Sequence, residues 1–290
     1  MERFVSLLAN GIANGSIYAL VALGIVLLQK ATGIINFAQG DLLTLGAFVG
    51  FWLLVKEGLP QPVVFGLVIV LLFAAGVALE RVGYAPLRGR SPLVIVISTF
   101  ALGLGIRALL VLWQGTTPRD LPAPFGGTFS LFGARIPQQS LLIVGVLALV
   151  GVAVYLLFQK TAVGRQVRAL AVDRETALLM GIKVRRLSPL TFGVSAALAG
   201  LAGVLVAPIL SVSPGLGFGL LLNAFAAVVL GGSERLAGVA FAAMFVAVVQ
   251  ALAAGYISPN LVDAYPFLIL ILVLAVRPQG LVRSVTGVRY

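Results

Sequence analysis

Apolar and polar positions along this chain fall into long blocks rather than into strict alternation. Nine apolar runs occupy about 4–28, 34–55, 62–80, 92–113, 139–158, 189–211, 215–232, 236–256 and 264–276. A run of roughly 20 apolar residues matches a helix of about 30 Å, the thickness of a bilayer's hydrocarbon core, whereas barrel strands would alternate apolar and polar side chains. Lipid offers the backbone no hydrogen-bond partner, so each run is predicted to cross as a helix. The pattern therefore predicts an all-α, polytopic transmembrane helical bundle of about 8–10 spans, read as one membrane domain over 1–290. The runs at 215–232 and 264–276 are the shortest signals and are expected to be tilted, broken or re-entrant. The first run reads as a span rather than a cleavable leader, being too long in its apolar part and lacking a sizeable basic leader.

Composition sharpens this picture. Of 290 residues, 60% are hydrophobic and 10% charged, against about 25% charged in an ordinary soluble domain. Cysteine and histidine are both absent, which removes thiolate chemistry, the commonest metal ligand and the commonest general base. Catalysis within the chain is not expected, nor is a metal site or a cofactor of its own. The net charge of +11 raises the question of nucleic acid, and its distribution answers it. When alternate loops are assigned to opposite sides, one side collects 15 Lys and Arg and the other 4, with Arg107 inside a span. That asymmetry follows the positive-inside rule, with the N-terminus outside and the C-terminus cytoplasmic, and leaves nucleic acid unnecessary.

Two connections are long. The outer one, 114–139, is rich in Pro and Gly, and its GTFSLFGARI stretch alternates as a small hairpin would. The inner one, 159–187, has no strong breaker between Gln166 and Met180 and reads as helical. Within it DRETALLMG places Asp173 and Glu175 at the front of a helix, apolar Ala177, Leu178 and Met180 behind, and Gly181 where a left-handed C-cap fits. Such a short helix suits docking into a groove of another protein; the alternative is a solvated connector held to anionic lipid head groups.

The stretch INFAQGD, 35–41, sets Asn36, Gln39 and Asp41 between apolar runs. One reading has it interrupt or cap a helix and line a hydrophilic passage; the other makes it interhelical glue. The charge count puts Asp41 close to the inner membrane surface, with no need for deep burial. Asn10, Asn14 and Asn223 are further candidate pathway residues, because amides within spans are costly unless paired or wetted. Gly11 and Gly15, Gly46 and Gly50, and Ala196 and Gly200 form small-xxx-small pairs that suit close helix packing, or sliding between states. Arg107 is read as snorkelling, pairing with a carbonyl, or binding a substrate carboxylate.

Several of these stretches together resemble a known family. ETALLMG keeps the E-A-A-x-x-x-G spacing of ABC-importer permeases, with Thr176 in place of the first Ala. The stretch from VGRQVRALAVDRETALLMG to LAGVL is similar to the branched-chain amino acid permease family (LivH/LivM). NGIANGSIYALVALGIVLL, INFAQGDLLTLGAF, NAFAAVVLGG and LILILVLAVRPQGL resemble its LivH branch, so the likeness runs nearly end to end. It implies the transmembrane permease subunit of an ABC importer for branched-chain or related amino acids, in a bacterial or archaeal cytoplasmic membrane. The implied partners are a LivM-like second permease, two cytoplasmic ABC ATPases and an extracytoplasmic solute-binding protein, with ATP and Mg on the ATPases. It assigns the matching positions Asp173, Glu175, Ala177 and Gly181, flanked by Arg168 and Arg174, to ATPase coupling. A Walker A loop is missing here: the only Lys followed by Ser or Thr is Lys160, and Gln159 precedes it where Gly is required. Two rivals stand beside this reading. One is an ABC permease for another small solute such as urea or amides; the other is an ion-coupled secondary transporter, which would carry acids or His deep in its spans.

Overall fold

A computed structural model describes residues 1–123, 127–131, 133–232 and 236–277. Each of the nine apolar runs becomes a helix. α1 spans Glu2–Thr32, α2 Gln39–Phe51, α3 Gln61–Leu79, α4 Pro92–Gln114 and α5 Gln138–Lys160. Two short helices follow, α6 Ala162–Val172 and α7 Arg174–Leu179, then α8 Val184–Val206, α9 Leu216–Gly231, α10 Leu236–Tyr256 and α11 Tyr265–Val276. Among the described residues, six helices are long and apolar enough to cross a membrane. α2 continues into a π-helical turn, Trp52–Lys56, and α3 into another, Glu80–Tyr84. α9 and α11, with 16 and 12 residues, are shorter than a bilayer-crossing helix. The predicted hairpin is present, with β1 Thr128–Leu131 antiparallel to β2 Ala134–Pro137 and Thr128 opposite Pro137. Arg235, Arg283 and Arg289, which entered the charge count, lie outside the described residues.

The core is built where small residues let helices touch. Gly11 and Gly15 of α1 face Val248 and Met244 of α10, so those two helices run antiparallel. Gly46 and Gly50 of α2 face Gly200 and Val204 of α8, so that pair runs parallel. Ala196 meets Gly76 of α3, and Gly200 also abuts Leu72. All three small-residue pairs therefore lie at helix contacts. α1 and α8 are buried through most of their length, whereas α3, α4 and α5 show long apolar faces to the outside.

The bundle has two distinct ends. At one, Arg3 bonds the Gly255 carbonyl where α1 begins and α10 finishes, and the hairpin's Gly133 sits beside Glu2. At the other, Gly33 closes α1 in the left-handed region at φ 77°, and Arg174 of α7 reaches the last carbonyl of α1. We refer to these as the hairpin end and the α7 end.

Candidate coupling segment and polar pathway

The 159–187 connection is not one helix. Asp173 is extended, at φ −149° and ψ 106°, and divides α6 from α7. The cause is local: an N-cap residue must leave helical φ/ψ so that its side chain can accept from N–H groups beyond it. Asp173 accepts from the Thr176 backbone N–H at 3.1 Å and from the Thr176 hydroxyl at 2.5 Å. These two bonds hold the Asp173 carboxyl below the usual carboxylate range. A carboxylate depressed in the folded state contributes fully above its unfolded pKa and loses that contribution as pH falls through the lower, folded value. Acid should therefore loosen α7 first. Amide protection in Glu175–Leu178, taken relative to the intrinsic exchange rate at each pH, should fall on acidification in the wild type and be low at every pH in Asp173→Ala.

At its other end α7 closes as the sequence predicts. Gly181 has φ 84°; its N–H donates to the Leu178 carbonyl at 3.0 Å, and the Ile182 N–H donates to Ala177 at 3.1 Å. This is the paired arrangement of a Schellman cap. Ala177, read as part of the docking face, is instead turned inward, 5% exposed, in a small cluster with Leu170, Val184 and Leu187. Alanine on that side lets α7 lie close to the bundle. The outward apolar crest is Leu178, Leu179 and Met180, at 48%, 88% and 80% exposed. Glu175 is exposed beside it. Arg174 donates to the Thr32 carbonyl at 2.6 Å, while the Nη1 of Arg168 is buried with no partner among the described residues.

INFAQGD is the second feature. After Gly33 the chain turns back into the bundle, and α2 starts inside it rather than at its edge. The freed backbone groups are met by side chains: Thr32 Oγ1 accepts from Ile34 N–H, Thr99 Oγ1 from Phe37 N–H, and Asn36 Oδ1 from Ala38 N–H at 3.1 Å. Gln39 donates to the Ser195 carbonyl at 2.9 Å; the Ser195 hydroxyl lies 2.9 Å from Gln39 Oε1 and 2.8 Å from the Gly24 carbonyl. The Gln39 amide and the Ser195 hydroxyl together thus join α1, α2 and α8. Asn36 and Gln39 are 1% and 0% exposed; the Gln39 amide is bonded to protein, whereas the Nδ2 of Asn36 has no partner among the described residues.

Asp41 departs from its expected place. It is 6% exposed and packs against Gly103, near the middle of α4, so it lies deep in the bundle instead of near a membrane surface. What permits this is Arg107, which neither snorkels nor seeks a carbonyl. Its Nε and Nη2 reach the Asp41 carboxylate at 2.9 and 2.8 Å, and its guanidinium lies 5.6 Å from the centre of the Phe218 ring. A paired, hydrogen-bonded charge is the form in which a carboxylate tolerates such burial. One turn further along α2, Thr44 accepts from the Gly217 N–H at 2.9 Å, so short α9 begins against mid-bundle backbone.

The third feature joins α1, α9 and α10. Tyr18 donates to Gln250 Oε1 at 2.9 Å, Asn223 donates to the Tyr18 hydroxyl at 3.0 Å, and Gln250 donates to the Val262 carbonyl at 2.9 Å. Asn223 is the predicted member; Tyr18 and Gln250 were missed, each being a lone polar group in a long apolar run. Asn14 stands beside this network without a hydrogen bond among the described residues, and Asn10 is exposed on the outer face of α1. A further buried ion pair, also unread in the sequence, joins Glu80 to Arg88 at the α7 end of α3, with Ser188 donating to Glu80 at 2.6 Å.

Comparison with known proteins bears directly on these three features. The family model for the branched-chain amino acid transport system permease component matches residues 7–274. The chain belongs to that family. It is 33% identical to the high-affinity branched-chain amino acid transport system permease LivH of Escherichia coli, over 96% of this chain and 95% of that one. Identity to BraD of Pseudomonas aeruginosa is also 33%, with the same coverage. The ribose import permease RbsC of Escherichia coli is more distant, 29% identical over 80% of this chain and 70% of that one. In three dimensions it is similar to a chain of PsaBC from Streptococcus pneumoniae, with a TM-score of 0.50, 16% identity, and 91% and 89% of the two chains covered. That likeness speaks for the fold alone. The chain is thus a multi-pass membrane protein and the permease subunit of an ABC importer. The three polar features are parts of a transport subunit.

Proposed function

We propose that this chain is the LivH-type permease of an importer that moves branched-chain aliphatic amino acids across the cytoplasmic membrane of a bacterium or archaeon, driven by ATP hydrolysed on other subunits. The reading takes its solute from the relatives, LivH and BraD. The observation that carries the mechanism is the Leu178–Met180 crest, three exposed apolar residues on a helix capped at both ends and tied to α1 through Arg174. Exposed apolar side chains on a rigid, capped turn are what a groove on an ATPase would grip. The charge asymmetry supports a cytoplasmic α7 end and an outer hairpin end, where a solute-binding protein would dock. In this scheme a LivM-like second permease completes the membrane pair, two ATPases bind ATP and Mg, and the chain itself performs no covalent chemistry. Alternating access follows when the ATPases move α7 and the spans reorient.

An ion-coupled transporter would need a carboxylate free to hold its coupling cation. The two buried carboxylates among the described residues, Asp41 and Glu80, are each bound to an arginine. The test is reconstitution into liposomes with and without the ATPases. Leucine uptake should require ATPases, ATP and binding protein; uptake by the permease alone under a proton or sodium gradient would overturn the reading. Within the assembled transporter, Gly181→Val should lower ATPase stimulation, because a β-branched residue at φ 84° opposes the cap by roughly 1–2 kcal/mol. Unchanged assembly and turnover would show that the cap is not needed for coupling.

A further inference from the structure

We infer that the hairpin end of the molecule contains a binding site for a zwitterionic α-amino acid with an aliphatic side chain, built between α1, α9, α10 and the 259–263 turn. The inference rests on the importer reading above and assigns its solute a place. A cavity of about 440 Å³ lies there, within the roughly 300–1,000 Å³ typical of small-molecule sites. Its chemistry is segregated. The floor is the hydrogen-bonded set Tyr18, Asn223 and Gln250, which joins all three helices and closes the cavity toward the tightly packed α1–α10 contact at Gly15 and Met244. The side wall is apolar, formed by residues such as Leu210, Leu216, Leu220 and Ala251. At the mouth stands Asp263, which makes neither a hydrogen bond nor an ion pair among the described residues.

These three parts match the three parts of an aliphatic amino acid. The Asp263 carboxylate receives the ammonium. The carboxylate needs donors, and the Asn14 side-chain amide, lining the cavity without a partner, supplies them. The leucine-sized side chain lies against the apolar wall. A sugar would need many more hydrogen-bonding groups along that wall, and a simple cation would need several clustered oxygens rather than one carboxylate. The site is open to the hairpin end and floored by Tyr18, so it receives solute before the spans reorient.

The chain contains no cysteine, so one introduced thiol is its sole label. A Cβ built at Gly219 meets nothing within 4 Å and opens into the cavity, so Gly219→Cys places a thiol there without a clash. In the assembled transporter, a membrane-impermeant maleimide should label it from outside, and L-leucine should slow the reaction. Adding Asp263→Asn should make that protection about tenfold weaker, the size of a lost charge-assisted hydrogen bond. Asp120→Asn, at the same end but bonded to Ser211, should leave protection unchanged. Protection by 4-methylpentanoate, which lacks the ammonium, should be weak in both backgrounds. If the same transporter takes up leucine with ATP but leucine gives no protection, or Asp263→Asn protects like the wild type, the site is refuted while the importer reading stands. If no aliphatic amino acid is taken up at all, both fall together.

Discussion

Asp41→Ala should destabilise the assembled transporter by about 3 kcal/mol, the lower end of the range for breaking a buried ion pair. The cost comes less from the lost attraction than from what remains: Arg107, 28% exposed at its side chain, keeps a full charge among α2, α4 and Phe218 with nothing to neutralise it. Arg107→Leu should be damaging for the opposite reason, since it strands the carboxylate beside Gly103. The double variant Asp41→Ala with Arg107→Leu should recover most of the loss, because an apolar replacement of a whole buried pair is often close to neutral. Thermal unfolding midpoints of the three variants in one detergent form the check. Equal, additive losses would mean the two residues act separately. Uptake measured alongside separates two roles: a purely structural pair gives a stable double variant that still transports.

The second large effect is steric. A methyl group at Gly46 would overlap the backbone of Gly200. A backbone atom cannot rotate aside as a side-chain end can, so Gly46→Ala must force α2 and α8 apart. We expect a cost of about 3 kcal/mol, the top of the usual overpacking range, with transport lost as the Gln39–Ser195 bond between the same helices is pulled open. Gly105→Ala and Gly66→Ala serve as controls, as a methyl group there meets nothing within 4 Å. Both controls should unfold at or above the wild-type temperature. A Gly46→Ala protein as stable as Gly105→Ala would mean that the α2–α8 contact is looser than described.

Much of the architecture could be read before any coordinates, and the reasons are physical. Lipid forces long apolar runs into helices, so nine runs gave nine helices, and the two weakest signals became α9 and α11, two of the shorter ones. Gly181 was legible because few residues other than glycine tolerate a left-handed cap, and the hairpin because GTFSLFGARI alternates. Depth was not legible. Counting loop charges sorts loops by side, but it carries no information on how far the turn after Gly33 climbs back, and so it misplaced Asp41. The break at Asp173 was within reach, since an acid ahead of a helix is an N-cap as readily as a first-turn residue. Tyr18 and Gln250 were not: they meet across 232 positions of sequence, and nothing local marks either as half of a pair.

α1 has 31 residues, about 46 Å of helix, against roughly 30 Å of hydrocarbon. It is moored at both tips, by Arg3 to Gly255 and by Arg174 to Thr32. Such a strut is longer than the hydrocarbon is thick and, as one unbroken helix, is stiff against a push along its axis. A displacement imposed on α7 would therefore arrive beside the hairpin undiminished, without a relay of intermediate side chains.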